Sequence, residues 1–210
     1  MKLVRVGELA WLVELAPEDE TPALFAARLD DGRHPAVAGI TPAACSVLVE
    51  FDGASCELPD GDAILTAAWR GGASAARGPT LLRPARRHHI PVFYDGADLA
   101  EVARRTGLSA GAVIARHAGV LYRVAFLGFQ PGFAYLRGLD PALVLPRHAT
   151  PRTRVPAGSV AIAEKWAGIY PARTPGGWQL LGRTEVQLFD ATSTEPALLQ
   201  AGDEVEFTPC

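Results

Sequence analysis

The chain has 210 residues, 49% of them hydrophobic and 20% charged, with a formal net charge of −3. That composition supports a packed core, excludes global disorder, and leaves no basic footprint for nucleic acid. No stretch reaches the roughly 18 apolar residues that a membrane span needs.

Residues 3–15 alternate as strands do, with a break at Gly7 and Glu8. Arg5, Glu8 and Glu14 interrupt the apolar run, so it does not read as a secretory leader. The segment "TPALFAARLDD" predicts a helix capped by Thr21, with Pro22 at its first position and Leu24, Phe25 and Leu29 on its apolar face. "AVAGITPA" and "CSVLVEF" predict two strands, and "DGDAILTAAWRGG" predicts a helix ended by glycines. Cys45, Cys56 and Cys210 sit at no metal-ligand spacing, and their odd number fits free thiols in a reducing, cytoplasmic setting.

A Gly/Ala/Arg/Pro-rich stretch follows, and the expected domain boundary falls in it, at 80/81. The adjacent His88 and His89 point to opposite sides of a strand, which disfavours a shared metal ion. "IPVFY" predicts a strand. "DLAEVARRTG" predicts a short helix with Asp98 as its N-cap, Glu101 completing a capping box, and Gly107 as its stop. "LSAGAVIARHAG" predicts a second helix capped by Ser109, with His117 in its last turn. "VLYRVAFLGF" predicts a strand leading into "GFQPGFAYL", a run of turn-formers and rings that suggests a shaped, pocket-lining loop. Beyond residue 140 the helical period disappears. Short apolar pieces separated by Pro and Gly point to a barrel or sandwich. The fold class expected is α+β.

No P-loop, G-x-G-x-x-G, G-x-S-x-G or H-E-x-x-H pattern is present. The polar residues of the Gly/Pro-rich loops are the remaining candidates. "PRHATPRTRVPAG" holds Arg147, Arg152 and Arg154, which read either as an anion grip or as a solvated basic loop. His117 reads as a helix-end cap or as a proton-handling group. Tyr170 fills a barrel mouth or faces a ligand, and Phe129, Phe133 and Tyr135 are core or ligand platform.

Taken together, "GFQPGFAYLRGLD", "PRHATPRTRVPAGSVAIA", "GIYP", "TPGGWQLLGRT" and "LLQAGDEVEF" resemble the 5-oxoprolinase B-subunit family, also known as allophanate hydrolase subunit 1 and including a sporulation histidine-kinase inhibitor. The resemblance is dense from about Ile90 to Phe207 and weaker before residue 80. It implies a small α+β domain at 1–80 and a cyclophilin-like β-barrel at 81–210. It implies one component of an ATP-dependent enzyme, with Mg2+, that activates the lactam of 5-oxoproline for hydrolysis to glutamate. The partners implied are a homologue of that enzyme's C subunit and a third component, its A subunit. A kinase-inhibitor role and a urea- or allophanate-type amide hydrolase are the alternatives.

Under the resemblance, His117, Arg152 and Tyr170 are assigned catalytic roles. Gly128, Phe129, Pro131, Gly132, Phe133, Tyr135, Arg147, Arg154 and Lys165 are assigned to substrate binding, and no metal ligands are assigned. Where relatives carry a glutamine shortly before "GIYP", this chain has Trp166, a change in both size and hydrogen bonding that bears on substrate identity.

Overall fold

A computed structural model of the chain describes residues 1–16, 21–32, 34–53, 60–72 and 84–210. It contains two compact units, Met1–Pro84 and Ala85–Cys210. The boundary expected at 80/81, like Cys56, lies outside the described residues.

In the first unit, β1 (Lys2–Arg5), β2 (Ala10–Glu14), β3 (Val37–Pro42) and β4 (Ser46–Phe51) form an antiparallel sheet in the order β1-β2-β4-β3. Strand alternation sends Trp11 and Val13 of β2, and Val47, Val49 and Phe51 of β4, to one buried face. The helix α1 (Pro22–Asp31) buries Phe25, Ala26 and Leu29 in the same core, and α2 (Gly61–Gly72) adds Leu65. The Thr21 hydroxyl accepts from Leu24 N, as the sequence predicts for a cap.

The second unit begins with β5 (Arg87–Val92), followed by α3 (Leu99–Thr106) and α4 (Ala110–Ala118). Strands β6 (Tyr122–Leu127) and β7 (Ala134–Arg137) come next, then a 3-10 turn at Pro141–Leu143. The rest comprises β8 (Arg152–Val155), β9 (Ser159–Ala163), β10 (Trp166–Ile169), β11 (Thr174–Gly176), β12 (Gln179–Arg183) and β13 (Glu204–Pro209). Seven strands form one mixed sheet, β12-β9-β10-β7-β6-β13-β5, while β8 and β11 pair separately. Phe93, just beyond β5, exchanges two backbone hydrogen bonds with Arg183 at the end of β12, each 2.9 Å. The two edges therefore meet, and the sheet is a mostly closed barrel.

Every residue of β9 and β10 is buried, because both sheet faces are covered. Val160, Ile162, Ala167 and Ile169 join the large core that also takes Val102 of α3 and Val113 of α4. Ala161, Ala163 and Trp166 join a second, aromatic-rich cluster with Phe126, Phe133, Tyr170 and Trp178. This second cluster builds the candidate site.

Two local expectations are corrected. The strand expected at Ile90 starts at Arg87, since β5 runs parallel to β13 over its full length. His88 there meets Asp203 at 3.1 Å, and His89 meets Glu206 at 2.9 Å. Asp98 precedes α3 but makes no capping bond; its φ of −105° and ψ of −2° are already helical, and its carboxylate turns to the barrel. Glu101 accordingly pairs with Arg104. Ser109 does cap α4, accepting from Ala112 N, and Gly107 ends α3 at φ +70°. Among the described residues no helix is long and apolar enough to cross a membrane.

Candidate functional site

The "GFQPGF" stretch folds into two tight turns. Gln130 N donates to Gly128 O across Phe129, a three-residue turn that holds Phe129 at φ +70°. Phe133 N then donates to Gln130 O, with Pro131 and Gly132 between them. Gly132 has φ +78°, so proline and glycine occupy the two central positions that a type II turn asks of them. A Cβ on Gly132 would also press to 2.8 Å from Phe189 Cβ. The turns leave Phe129 59% exposed at a cavity rim and Phe133 only 1% exposed behind it.

That cavity has a volume of about 300 Å³. Its apolar wall is Phe129, Phe133, Tyr135, Tyr170 and Trp178. Phe133 is the hub: it meets Phe129, Tyr135, Tyr170 and Trp178 edge-to-face, at ring separations of 5.1–5.4 Å. Gly176 and Gly177 line another side, and a Cβ on Gly176 would overlap the Tyr170 hydroxyl. Burial raises the phenol pKa of Tyr135 and Tyr170, so both remain protonated hydrogen-bond donors at neutral pH.

Arg147 and His148 supply the cavity's polar edge. Their segment is fastened to the barrel at three points. Glu164 N donates to Leu145 O at 2.6 Å, Gln179 Nε2 to Pro146 O at 2.9 Å, and His148 N to Gly177 O at 2.7 Å. Arg147 Nε lies 3.6 Å from Glu164 Oε1, a loose and half-exposed contact. Behind His148 sits Asp98, 5% exposed. Its Oδ1 accepts from Arg152 Nη2 at 2.5 Å and its Oδ2 from Leu180 N at 2.7 Å. His148 Nε2 stands 3.3 Å from the same Oδ2, within ion-pair distance but off the direction of a hydrogen bond.

The structure thus gathers Phe129, Phe133, Tyr135, Arg147 and Tyr170 at one cavity, while Gly128, Pro131 and Gly132 shape the turns that deliver the rings. Arg152 stands behind the wall, committed to Asp98 and donating to Trp178 O at 3.5 Å. Arg154 is exposed on β8. Lys165 is exposed on the β9–β10 turn, its ammonium 5.4 Å from the centre of the Trp166 ring. Trp166 does not enter the cavity; it packs edge-on against Phe126 and Tyr135 and backs the wall.

His117 is a correction. It shares one face of α4 with Val113, four residues earlier, and that face enters the main core. Its ring is fully buried, stacked on Phe207 at 4.6 Å, with Nδ1 sharing a 2.8 Å hydrogen bond with Tyr94 Oη. Burial lowers its pKa to about 3, so it is neutral, and it is not among the residues that line the aromatic cavity. Sequence reasoning misses His148, Trp178 and Asp98 as site residues. Of these, only His148 has a signal, its place between Arg147 and Arg152 in the proline-held segment.

Residues 1–199 match the family described as carboxyltransferase domain, subdomain C and D. Over 123 residues the chain is 54% identical to the B subunit of 5-oxoprolinase from Escherichia coli O157:H7, covering 57% of this chain and 56% of that protein. Over 121 residues it is 48% identical to the protein of the same name from Bacillus subtilis (strain 168), covering 56% and 50%. The chain thus spans about half the length of the curated relatives it matches. The solved structure of TTHA0988 superposes with a TM-score of 0.78 at 37% identity, over 96% of this chain and 39% of that one. Urea amidolyase of K. lactis superposes with a TM-score of 0.74 at 19% identity, over 99% of this chain and 15% of that one, a likeness of fold alone. The chain belongs to the carboxyltransferase-domain subdomain C and D family, and within it is similar to the B subunit of 5-oxoprolinase, as its loop motifs indicate.

Proposed function

We propose that the second unit is a cyclophilin-like barrel whose aromatic cavity binds a small planar amide bearing a carboxylate, and that the chain works as one subunit of a 5-oxoprolinase-type amide hydrolase. The observation that carries this reading is the pairing of five ring walls with Arg147 and His148 at a single edge. Rings suit a flat lactam and exclude water from it. A guanidinium suits a carboxylate, and protonated Tyr135 and Tyr170 can donate to an amide oxygen. The names of the relatives, each a B subunit of 5-oxoprolinase, support 5-oxoproline as the substrate and a place as one subunit of an assembly; its C and A subunits are the partners that the motif resemblance implies.

ATP does not fit this cavity. Its lining offers one arginine and one histidine, and no carboxylate that would hold Mg2+. A volume of about 300 Å³ lies at the low end for ligand pockets. ATP would then be a ligand of the assembled complex.

The test is a titration of the purified chain with L-5-oxoproline, followed by tryptophan fluorescence and by NMR of the cavity rings. Arg147→Ala should weaken binding about tenfold or more, the worth of a charge-assisted pair. Saturable binding that leaves the Tyr170 and Trp178 signals unmoved would place the ligand elsewhere and overturn the reading.

A further inference from the structure

His148 carries a half-made contact. Its Nε2 is buried and without a hydrogen bond, although Asp98 Oδ2 is only 3.3 Å away. Buried polar atoms with no partner are rare and ask for a reason. Asp98 cannot turn to meet the ring, because Arg152 holds Oδ1 and Leu180 N holds Oδ2. The His148 backbone is fixed too, through its bond to Gly177 O. Only rotation of the imidazole can complete the contact, and its side chain, 27% exposed, borders the cavity.

We propose that the carboxylate of a bound ligand completes it. The ring of His148 rests one edge on Asp98 and presents the other to the cavity, where it donates to the carboxylate beside Arg147. His148 thereby becomes an anion-selecting contact of the site. The inference rests on the reading of this cavity as a ligand site. The groups facing His148 are Asp98 with Arg152 behind it, Arg147 with Glu164 beyond it, and the phenols of Tyr135 and Tyr170. Those phenols stay protonated, so they too can donate to an anion. Affinity for a ligand that bears the carboxylate should therefore exceed affinity for its neutral counterpart, and the excess should depend on His148.

Two probes separate the cases: L-5-oxoproline, and 2-pyrrolidinone, the same lactam without the carboxylate. Calorimetric titration of the purified chain should show 5-oxoproline binding about tenfold or more tighter than pyrrolidinone, the worth of a charge-assisted contact. His148→Ala should bind 5-oxoproline about tenfold more weakly and leave pyrrolidinone binding unchanged. Unchanged 5-oxoproline affinity in His148→Ala overturns the inference, as does an equal loss for both lactams. Those results leave the cavity reading intact, whereas failure of both lactams to perturb the cavity rings removes that reading and this inference with it.

Discussion

The Arg152 guanidinium is held by the carboxylate of Asp98, a residue 54 positions earlier in the chain. The pair ties β8 to the start of α3, and the second Asp98 oxygen ties α3 to β12 through Leu180 N. The Asp98 side chain is 6% exposed and that of Arg152 30%, so the charges are only partly screened. Arg152→Ala should lower stability by about 2–4 kcal/mol, because it leaves a nearly buried carboxylate without its cation. The double variant Asp98→Ala/Arg152→Ala should lose less than the sum of the single losses, with a coupling of about 1–3 kcal/mol. Urea denaturation of the four proteins of this cycle measures it. Additive losses would mean that the contact contributes nothing to the fold.

The same pair explains what the sequence could and could not convey. D-x-x-E before an apolar run is the pattern of a capping box, and on local grounds Asp98 and Glu101 fit it. The tertiary partner that captures Asp98 is far away in the chain and invisible to any local rule. Ser109 and Gly107, whose roles are set by their immediate neighbours, were legible for that reason. The "QPGF" turn was legible too, since proline and glycine determine its backbone. The rings that follow it reach the cavity through strand alternation and sheet closure. The helix-end position of His117 does not say which face is buried. The spacing from Val113 to His117 does, and it points into the core.

Neutral, buried His117 makes stability depend on pH in a definite direction. Its pKa in the fold is about 3, against an ordinary value of 6.5. The folded state therefore resists a proton that the unfolded state accepts. The contribution is fully present above about pH 6.5 and is lost as pH falls from there toward about 3. The slope contributed by this one group is at most about 1.4 kcal/mol per pH unit. His117→Leu removes the titration and should flatten the stability profile over that window, whatever its effect at neutral pH. Urea midpoints measured from about pH 7 down to about 4, an interval within the histidine window, read the difference. A variant profile parallel to the wild type would assign the acid sensitivity to other groups.

Gly132 and Gly107 both have positive φ, at +78° and +70°, yet their surroundings differ. A Cβ on Gly107 meets nothing within 4 Å, whereas one on Gly132 meets Phe189 Cβ at 2.8 Å and Leu188 O at 3.1 Å. Gly107→Ala should cost about 1 kcal/mol, the strain of a left-handed L-residue alone. Gly132→Ala adds a clash with Phe189 Cβ and crowds Leu188 O, and should cost about 2–4 kcal/mol. It should also displace Phe129 and Phe133 and weaken lactam binding, which Gly107→Ala should leave unchanged. Thermal denaturation together with the 5-oxoproline titration tests both halves. Equal losses of stability would deny the close packing of the turn on the 188–189 segment.

Phe129 combines a strained backbone with a mostly exposed ring. At φ +70° a residue with a side chain is held in a region that glycine occupies freely. The ring meets Phe133 and Tyr170 edge-to-face at 5.4 and 6.3 Å and otherwise stands open at the cavity mouth. Under the proposed function, the ring that this backbone holds at the mouth would close the cavity over a ligand. Phe129→Gly relieves the backbone and removes the ring; Phe129→Ala removes the ring and keeps the strain. The glycine variant should therefore be at least as stable as the alanine variant, despite the greater freedom of glycine in the unfolded chain, with a difference of up to about 1 kcal/mol. Both should bind 5-oxoproline about tenfold more weakly, since the ring that covers the ligand is gone. Calorimetry and thermal melts on the two variants decide it. An alanine variant clearly more stable than the glycine variant would show that the backbone there is unstrained, and unchanged affinity in both would remove Phe129 from the ligand site.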